Sequence, residues 1–289
     1  MNAPDESPTP AHVDLSKPST ARMYNYYLGG KDNYPVDREA ARKVIEAATA
    51  SGGDVCAAAR ENLRFAGRAT AWAVAEFGID QVLDIGMGIV HGIPLPTVEQ
   101  AVHQVNPDAV VVGLDHDPIV LQHSAALRHN HEDPRHGYAA VLYGDVRELE
   151  GIFTNPHLNT WVDLSRPVVV DLVAVMHFIP EAEGPAELMA ELCDRVPDGS
   201  LLVFSHICSA DTAPDALQSM ESGYDNASSP AIFRTLSQLH DDLLVGAGWE
   251  PCTPLLDVQR WAPPGQTYEG EDTGTLHLVG TVARKRSAR

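Results

Sequence analysis

From Ile79 onward, short apolar runs end on a glycine turn or an acid, and each gives way to a loop or a stretch with helical spacing. The words that carry this grammar are VLDIGMGIV at 82–90, VVGLDHDP at 111–118, LYGDVRE at 142–148 and VVVDLVAVMHFIP at 168–180. Runs this short and apolar on both faces fit strands of a parallel sheet whose two sides are covered by crossover helices. The spacing predicts strands at 81–85, 109–114, 139–142, 168–173 and 201–207, with helices at 96–105 and 184–195 between them. Asp117 and Pro118 suit the N-cap and first turn of another helix, reaching about His129. Segments 254–259 and 275–283 read as a terminal antiparallel pair.

The chain ahead of Ile79 has a different character. Residues 1–18 are proline-rich and poor in large apolar side chains, which predicts a flexible segment. Residues 19–78 read as a helical cap. A short helix carrying Met23, Tyr24 and Tyr27 runs into Gly29-Gly30, a second helix begins near Val36, and a third runs from Val55, capped by Asp54, to about Phe77. Residues 79–283 form the α/β domain, in which 208–229 reads as a lid or an inserted helical hairpin. A further helix is expected from Ser229-Pro230 to Val245, and 284–289 is a short basic tail.

Charge narrows the partners. With 40 acidic residues against 20 Lys and Arg, the chain carries a formal charge of −20, a field that repels nucleic acid phosphates and anionic lipid. The cysteines at 56, 193, 208 and 252 show no CxxC spacing, and neither a leader nor a run of about 18 apolar residues is evident. The expectation is a cytoplasmic protein with reduced thiols that engages neither nucleic acid nor membrane. His116, His123, His129, His131 and His136 straddle strand, helix and loop without metal-ligand spacing, so no metal is expected.

Glycines 86 and 88 let the chain turn at the carboxyl end of a strand and leave room for a ligand, and Asp84 can order the turn or reach a charged head group. Asp115, at the end of the adjacent strand, has two oxygens able to accept both hydroxyls of a ribose. An adenosine ligand follows. A dinucleotide turn would read GxGxxG, but here the next glycine after Gly88 is Gly92, and the interval from Gly86 to Asp115 exceeds the roughly 20 residues such folds use.

On these residues the sequence resembles the class I S-adenosylmethionine-dependent methyltransferases. DIGMG at 84–88 resembles their first motif, LDHDP at 114–118 their second, YGDVRE at 143–148 the adenine segment and DLVAVMHFIP at 171–180 the fourth motif. A narrower resemblance spans about residues 14 to 283. STARMYNYYLGGKDNYPVDREAARKV, RENLRFAGRA, FRTLSQL and QRWAPPG resemble a mostly actinobacterial methyltransferase family long catalogued as a domain of unknown function. Where that family more usually has a GTGLPT-like turn, this chain reads GMGIVHGIPLPTVEQ.

The resemblance implies a seven-stranded, mostly parallel α/β sheet with helices on both faces and an N-terminal helical cap. It implies S-adenosyl-L-methionine as cofactor, with Asp84, Gly86 and Gly88 near the methionine part, Asp115 and its neighbour His116 at the ribose, and Asp145 and Val146 beside the adenine. Met176 and His177 would face the transfer cleft. His177 is the candidate catalytic base, or else packs with Phe178 as wall; His91 and His206 are lesser candidates. In the GGKDN loop, Lys31 and Asp32 suit the donor's carboxylate and ammonium, with Tyr24 and Tyr27 closing over the ligand, unless the loop is only a joint. Arg60, Arg64 and Arg68 share a helical face that reads as a salt-bridged stripe rather than an anion grip.

The expected reaction is methyl transfer to a small-molecule oxygen or nitrogen nucleophile. An NAD-dependent oxidoreductase and a non-catalytic S-adenosylmethionine-binding regulator are the competing readings. Nothing in the sequence fixes an oligomeric state.

Overall fold

The computed structural model describes residues 16–90, 92–128, 139–210 and 212–286. His91, His129, His131 and His136, most of the 1–18 segment and the end of the basic tail lie outside the described residues. Three helices come first: α1 (Thr20–Tyr27), α2 (Pro35–Ala50) and α3 (Val55–Phe77). The alternating part follows as β1 (Gln81–Ile85), α4 (Val98–Val105), β2 (Val110–Asp115), α5 (Pro118–Arg128), β3 (Ala140–Tyr143), α6 (Leu149–Phe153), α7 (Leu158–Trp161), β4 (Val169–Val173), α8 (Pro185–Arg195) and β5 (Leu201–Cys208). The chain closes with α9 (Pro214–Ser222), a wide helical segment Gln238–Val245, β6 (Trp249–Pro251), β7 (Leu256–Asp257) and β8 (His277–Lys285).

The strands form one mixed sheet in the order β3-β2-β1-β4-β5-β8-β6, with the two-residue β7 paired to β8 off this path. Strands β1 to β5 run parallel, and β8 runs antiparallel to β5, β6 and β7. The order reverses between β1 and β4, which opens a crevice at their carboxyl ends.

Alternate side chains of the buried strands feed separate cores. Leu83, Val112, Val170 and Phe204 pack on one face with α6, α8 and the 238–245 segment, while Val82, Val111, Val169 and Val203 pack on the other with Phe65 and Ala69 of α3. Asp54 accepts a hydrogen bond from the Ala57 amide and so caps α3, whose opposite flank, through Ala58, Ala59 and Leu63, joins α1 and α2 in a third cluster. Helix α3 is therefore shared between the sheet and the N-terminal helices.

Two local expectations need correction. Of the two readings of 208–229 the helical hairpin does not form: its described residues yield one helix, α9, which docks on α2 with Met220 buried between them. The helix expected from Ser229-Pro230 begins later, because the backbone there serves other elements: Ile232 donates its amide to the His177 carbonyl, and the Arg234 carbonyl accepts from Ser209. β6 was not expected at all; three residues are too few to show a period. Among the described residues no helix is long and apolar enough to cross a membrane.

Candidate functional site

A cleft of about 1010 Å³, measured with its open mouth, lies over the carboxyl ends of β1, β2, β3 and β4. Its floor is the turn after β1. Gly86 and Gly88 both have positive φ, 77° and 64°, a region that other residues rarely adopt. The Gly86 and Met87 amides donate to the Leu114 carbonyl at 2.7 and 3.2 Å, which fastens the turn to β2. A Cβ on Gly86 would fall 2.4 Å from Cγ2 of Val175, whereas one on Gly88 would meet nothing nearer than the Gly86 carbonyl at 4.0 Å. Gly86 is needed for packing; Gly88 leaves open space.

Asp115 ends β2 and is buried. Its Oδ2 accepts from the Gly88 amide at 3.0 Å and its Oδ1 from the Asp117 amide at 2.9 Å, so the carboxylate is held rigidly against the glycine turn. Each oxygen keeps a second lone pair for a ligand hydroxyl. Burial pushes the Asp115 carboxyl up, opposed by the Asp117 amide and by His116, whose Nδ1 lies 3.7 Å from Oδ1. At the end of β3, Asp145 accepts from the Arg147 amide at 2.9 Å and from its guanidinium at 3.3 Å, both on Oδ1. Arg147 is further neutralised by Glu183 at 2.5 Å.

The roof is α1. Ser19 donates its hydroxyl to Asp117 at 2.6 Å, the Thr20 amide donates to the Ser228 hydroxyl at 3.1 Å, and the Ser228 amide returns a bond to the Pro18 carbonyl. The buried Arg22–Asp37 pair, at 2.7 Å, fixes the entry to the helix, with Asp37 also accepting from the Ser19 and Tyr34 amides. Tyr24 and Thr20 then face the cleft.

Of the residues singled out in the sequence, Tyr24, Asp84, Gly86, Gly88, Asp115, His116, Asp145 and Val146 line this one cleft. Lys31, Asp32, Met176 and His177 do not. Lys31 and Asp32 are exposed beyond the Gly29-Gly30 joint, and the Asp32 carboxylate lies 3.6 Å from His123. Met176 is buried in the core below β4, its carbonyl accepting from Arg234 at 3.0 Å. His177 stands behind Phe178, ring centroids 4.3 Å apart. Burial, with the Arg234 charge, holds its imidazole down to about 3, and its Nδ1 has no hydrogen-bond partner. Burial, with His177, likewise holds His206 well below the ordinary imidazole range; it donates through Nδ1 to the Ile207 carbonyl at 2.6 Å and accepts at Nε2 from Arg234 at 2.8 Å.

Sequence reading missed Asn62, Arg147, Ala174 and Ser229, all on the cleft wall. Asn62 left a signal: it interrupts the otherwise apolar stripe Ala58, Ala66, Ala69 and Ala73 of α3. Two residues of the arginine stripe are salt-bridged, Arg60 and Arg64 both meeting Glu271, which they hold down to about 2, while Arg68 donates to the Val258 and Trp261 carbonyls and lies over the Tyr268 ring at 3.4 Å. Among the described residues no group of three potential metal ligands comes together.

The family model described as S-adenosyl methyltransferase matches residues 6–286, and the chain belongs to that family. A solved structure from Streptomyces avermitilis, of a family catalogued as a domain of unknown function, is 30% identical, with a TM-score of 0.81 over 94% of this chain and 99% of that one. A candidate methyltransferase from Thermobifida fusca is 29% identical, with a TM-score of 0.76 over 97% of this chain and 100% of that one. No curated protein matches the chain.

Proposed function

We propose that this member of the S-adenosyl methyltransferase family holds its donor along the ends of β3, β2, β1 and β4 and passes the methyl group to a small-molecule oxygen or nitrogen nucleophile. The observation that carries the reading is the Asp115 carboxylate pinned between the Gly88 and Asp117 amides at the crevice where the strand order reverses. The residues fit S-adenosylmethionine. Asp115 would offer its unspent lone pairs to the ribose hydroxyls, the open face of Gly88 would admit the ligand against the backbone, and Asp145 with Val146 would flank the adenine. Asp84, which also lines the cleft, would meet the donor's ammonium.

The bound donor supplies a methyl group made labile by its sulfonium. The chain's own task is to hold acceptor and donor in line and to keep water out, which the α1 roof and the wall of Val90, Phe178 and Ile179 serve. His177, neutral at pH 7 and a weak base behind Phe178, packs the wall. A covered cleft with few convergent polar groups suits a small acceptor better than a polymer.

Calorimetric titration with S-adenosylmethionine, S-adenosylhomocysteine and NAD tests the reading. Both sulfur ligands should bind, NAD should not, and Asp115→Ala should weaken the sulfur ligands by about tenfold or more, the scale of losing hydrogen bonds to a charged group. NAD binding in place of the sulfur ligands would sink the proposal.

A further inference from the structure

Among the described residues Ala174 is the one non-glycine residue with positive φ, 58°, a conformation that persists where the surroundings over-determine it. It follows β4 directly and lines the cleft. What holds it is a side-chain chain of bonds. The Ala174 amide donates to the Ser205 hydroxyl at 3.1 Å, and Ser205 donates to Oδ1 of Asn62 at 2.7 Å. Nδ2 of Asn62 donates to the Tyr24 hydroxyl at 3.0 Å, which donates in turn to the Ala59 carbonyl at 3.0 Å. Ser205 and Asn62 are 0% and 1% exposed, so water does not compete for these bonds.

One carboxamide thus ties the turn after β4 to the roof helix. The tie reaches the floor as well, since Val175, next to Ala174, packs so closely on Gly86 that a Cβ there would lie 2.4 Å away. We propose that Asn62 is a positioning residue for the donor's amino-acid end. The inference rests on the donor reading above: with adenine at β3 and ribose at β2, sheet order puts the rest of the donor over β1 and β4, the ground that Asn62 and Ala174 share. Through Tyr24 on one side and Ser205 with Ala174 on the other, the Asn62 carboxamide sets two of the surfaces between which that end would lie.

The test uses the full chain and two probes, S-adenosylhomocysteine and 5′-methylthioadenosine, which keeps adenine, ribose and sulfur but lacks the amino-acid carbons. Asn62→Leu and Ser205→Ala should each weaken S-adenosylhomocysteine by about tenfold, the scale of one or two buried hydrogen bonds, and change 5′-methylthioadenosine by less than about twofold. Ser205→Thr, which keeps the hydroxyl, should restore affinity. If Asn62→Leu does not fold, Ser205→Ala carries the comparison alone. Equal loss of both probes, or loss of neither, would overturn the positioning role and leave the donor reading standing. Failure of the parent protein to bind S-adenosylhomocysteine would overturn both.

Discussion

Asp84 and Asp171 sit side by side in register on the adjacent parallel strands β1 and β4. Asp84 borders the cleft, while Asp171 is fully buried and accepts from the Thr70 hydroxyl at 2.7 Å. Burial and the Asp84 charge raise the Asp171 carboxyl well above the usual carboxylate range, so the pair holds a proton that the unfolded chain would release.

That proton gives a pH dependence of known sign. The native state binds more protons than the unfolded state above the ordinary carboxylate pKa, so this site's contribution to stability falls as pH rises from about 4 towards the raised native value. Asp171→Asn keeps the shape and removes the titration. Thermal unfolding of the variant should lose that component of the pH dependence, with its gain over the parent growing towards alkaline pH. A gain that shrinks as pH rises would contradict the assignment.

The buried histidines act in the opposite direction. His177 and His206 stay neutral in the folded chain but titrate near 6.5 once unfolded, so their contribution is present above that pH and is lost progressively as pH falls from there through the depressed native values. Imidazole resonances should show both rings still neutral at pH 5, with the proton of His206 on Nδ1. A charged imidazole at either position would refute this.

The two glycines of the floor should separate in mutagenesis. Both have positive φ, so either Ala substitution incurs about 1–3 kcal/mol of backbone strain. Gly86→Ala adds the collision with Val175 and should be the more destabilising in urea unfolding. Gly88→Ala leaves the packing alone, yet it narrows the ligand's approach and should weaken donor binding at nearly normal folding.

Removing one partner of the Arg22–Asp37 pair strands a buried charge. The two side chains are 3% and 0% exposed, and Arg22→Met should cost about 3–5 kcal/mol in urea unfolding. The double replacement Arg22→Met with Asp37→Leu removes that stranded charge but also takes the capping acceptor from the Ser19 and Tyr34 amides. It should therefore recover only part of the loss.

Legibility in the sequence followed local determinants. α3 and β1 match the residues expected, because Asp54 caps the first and a short, mostly apolar run with glycines behind it defines the second. The cleft positions of Asp84, Asp115 and Asp145 were legible for the same reason, each standing at or near the end of an apolar run. Lys31, Asp32 and Met176 were not, because which way a loop side chain turns depends on partners distant in the chain, as Asp32 beside His123 and Met176 beneath Arg234 show. Ser205 lay hidden within LLVFSHI, where one polar residue does not change the strand reading. Its partner Asn62 is 143 positions away, a relation that no spacing rule encodes.

The place of β8 bears on how the chain is made. Strand β8, ending at Lys285, lies hydrogen-bonded between β5 and β6, and its pairing with β5 runs the whole length of that strand. During synthesis, all five parallel strands can therefore emerge and associate while β5 still presents a bare, apolar edge, a template for another nascent chain. A stop or a pause before residue 277 would leave the cleft's residues on the β-strand ends synthesised, beside a sheet whose most adhesive border is unsealed.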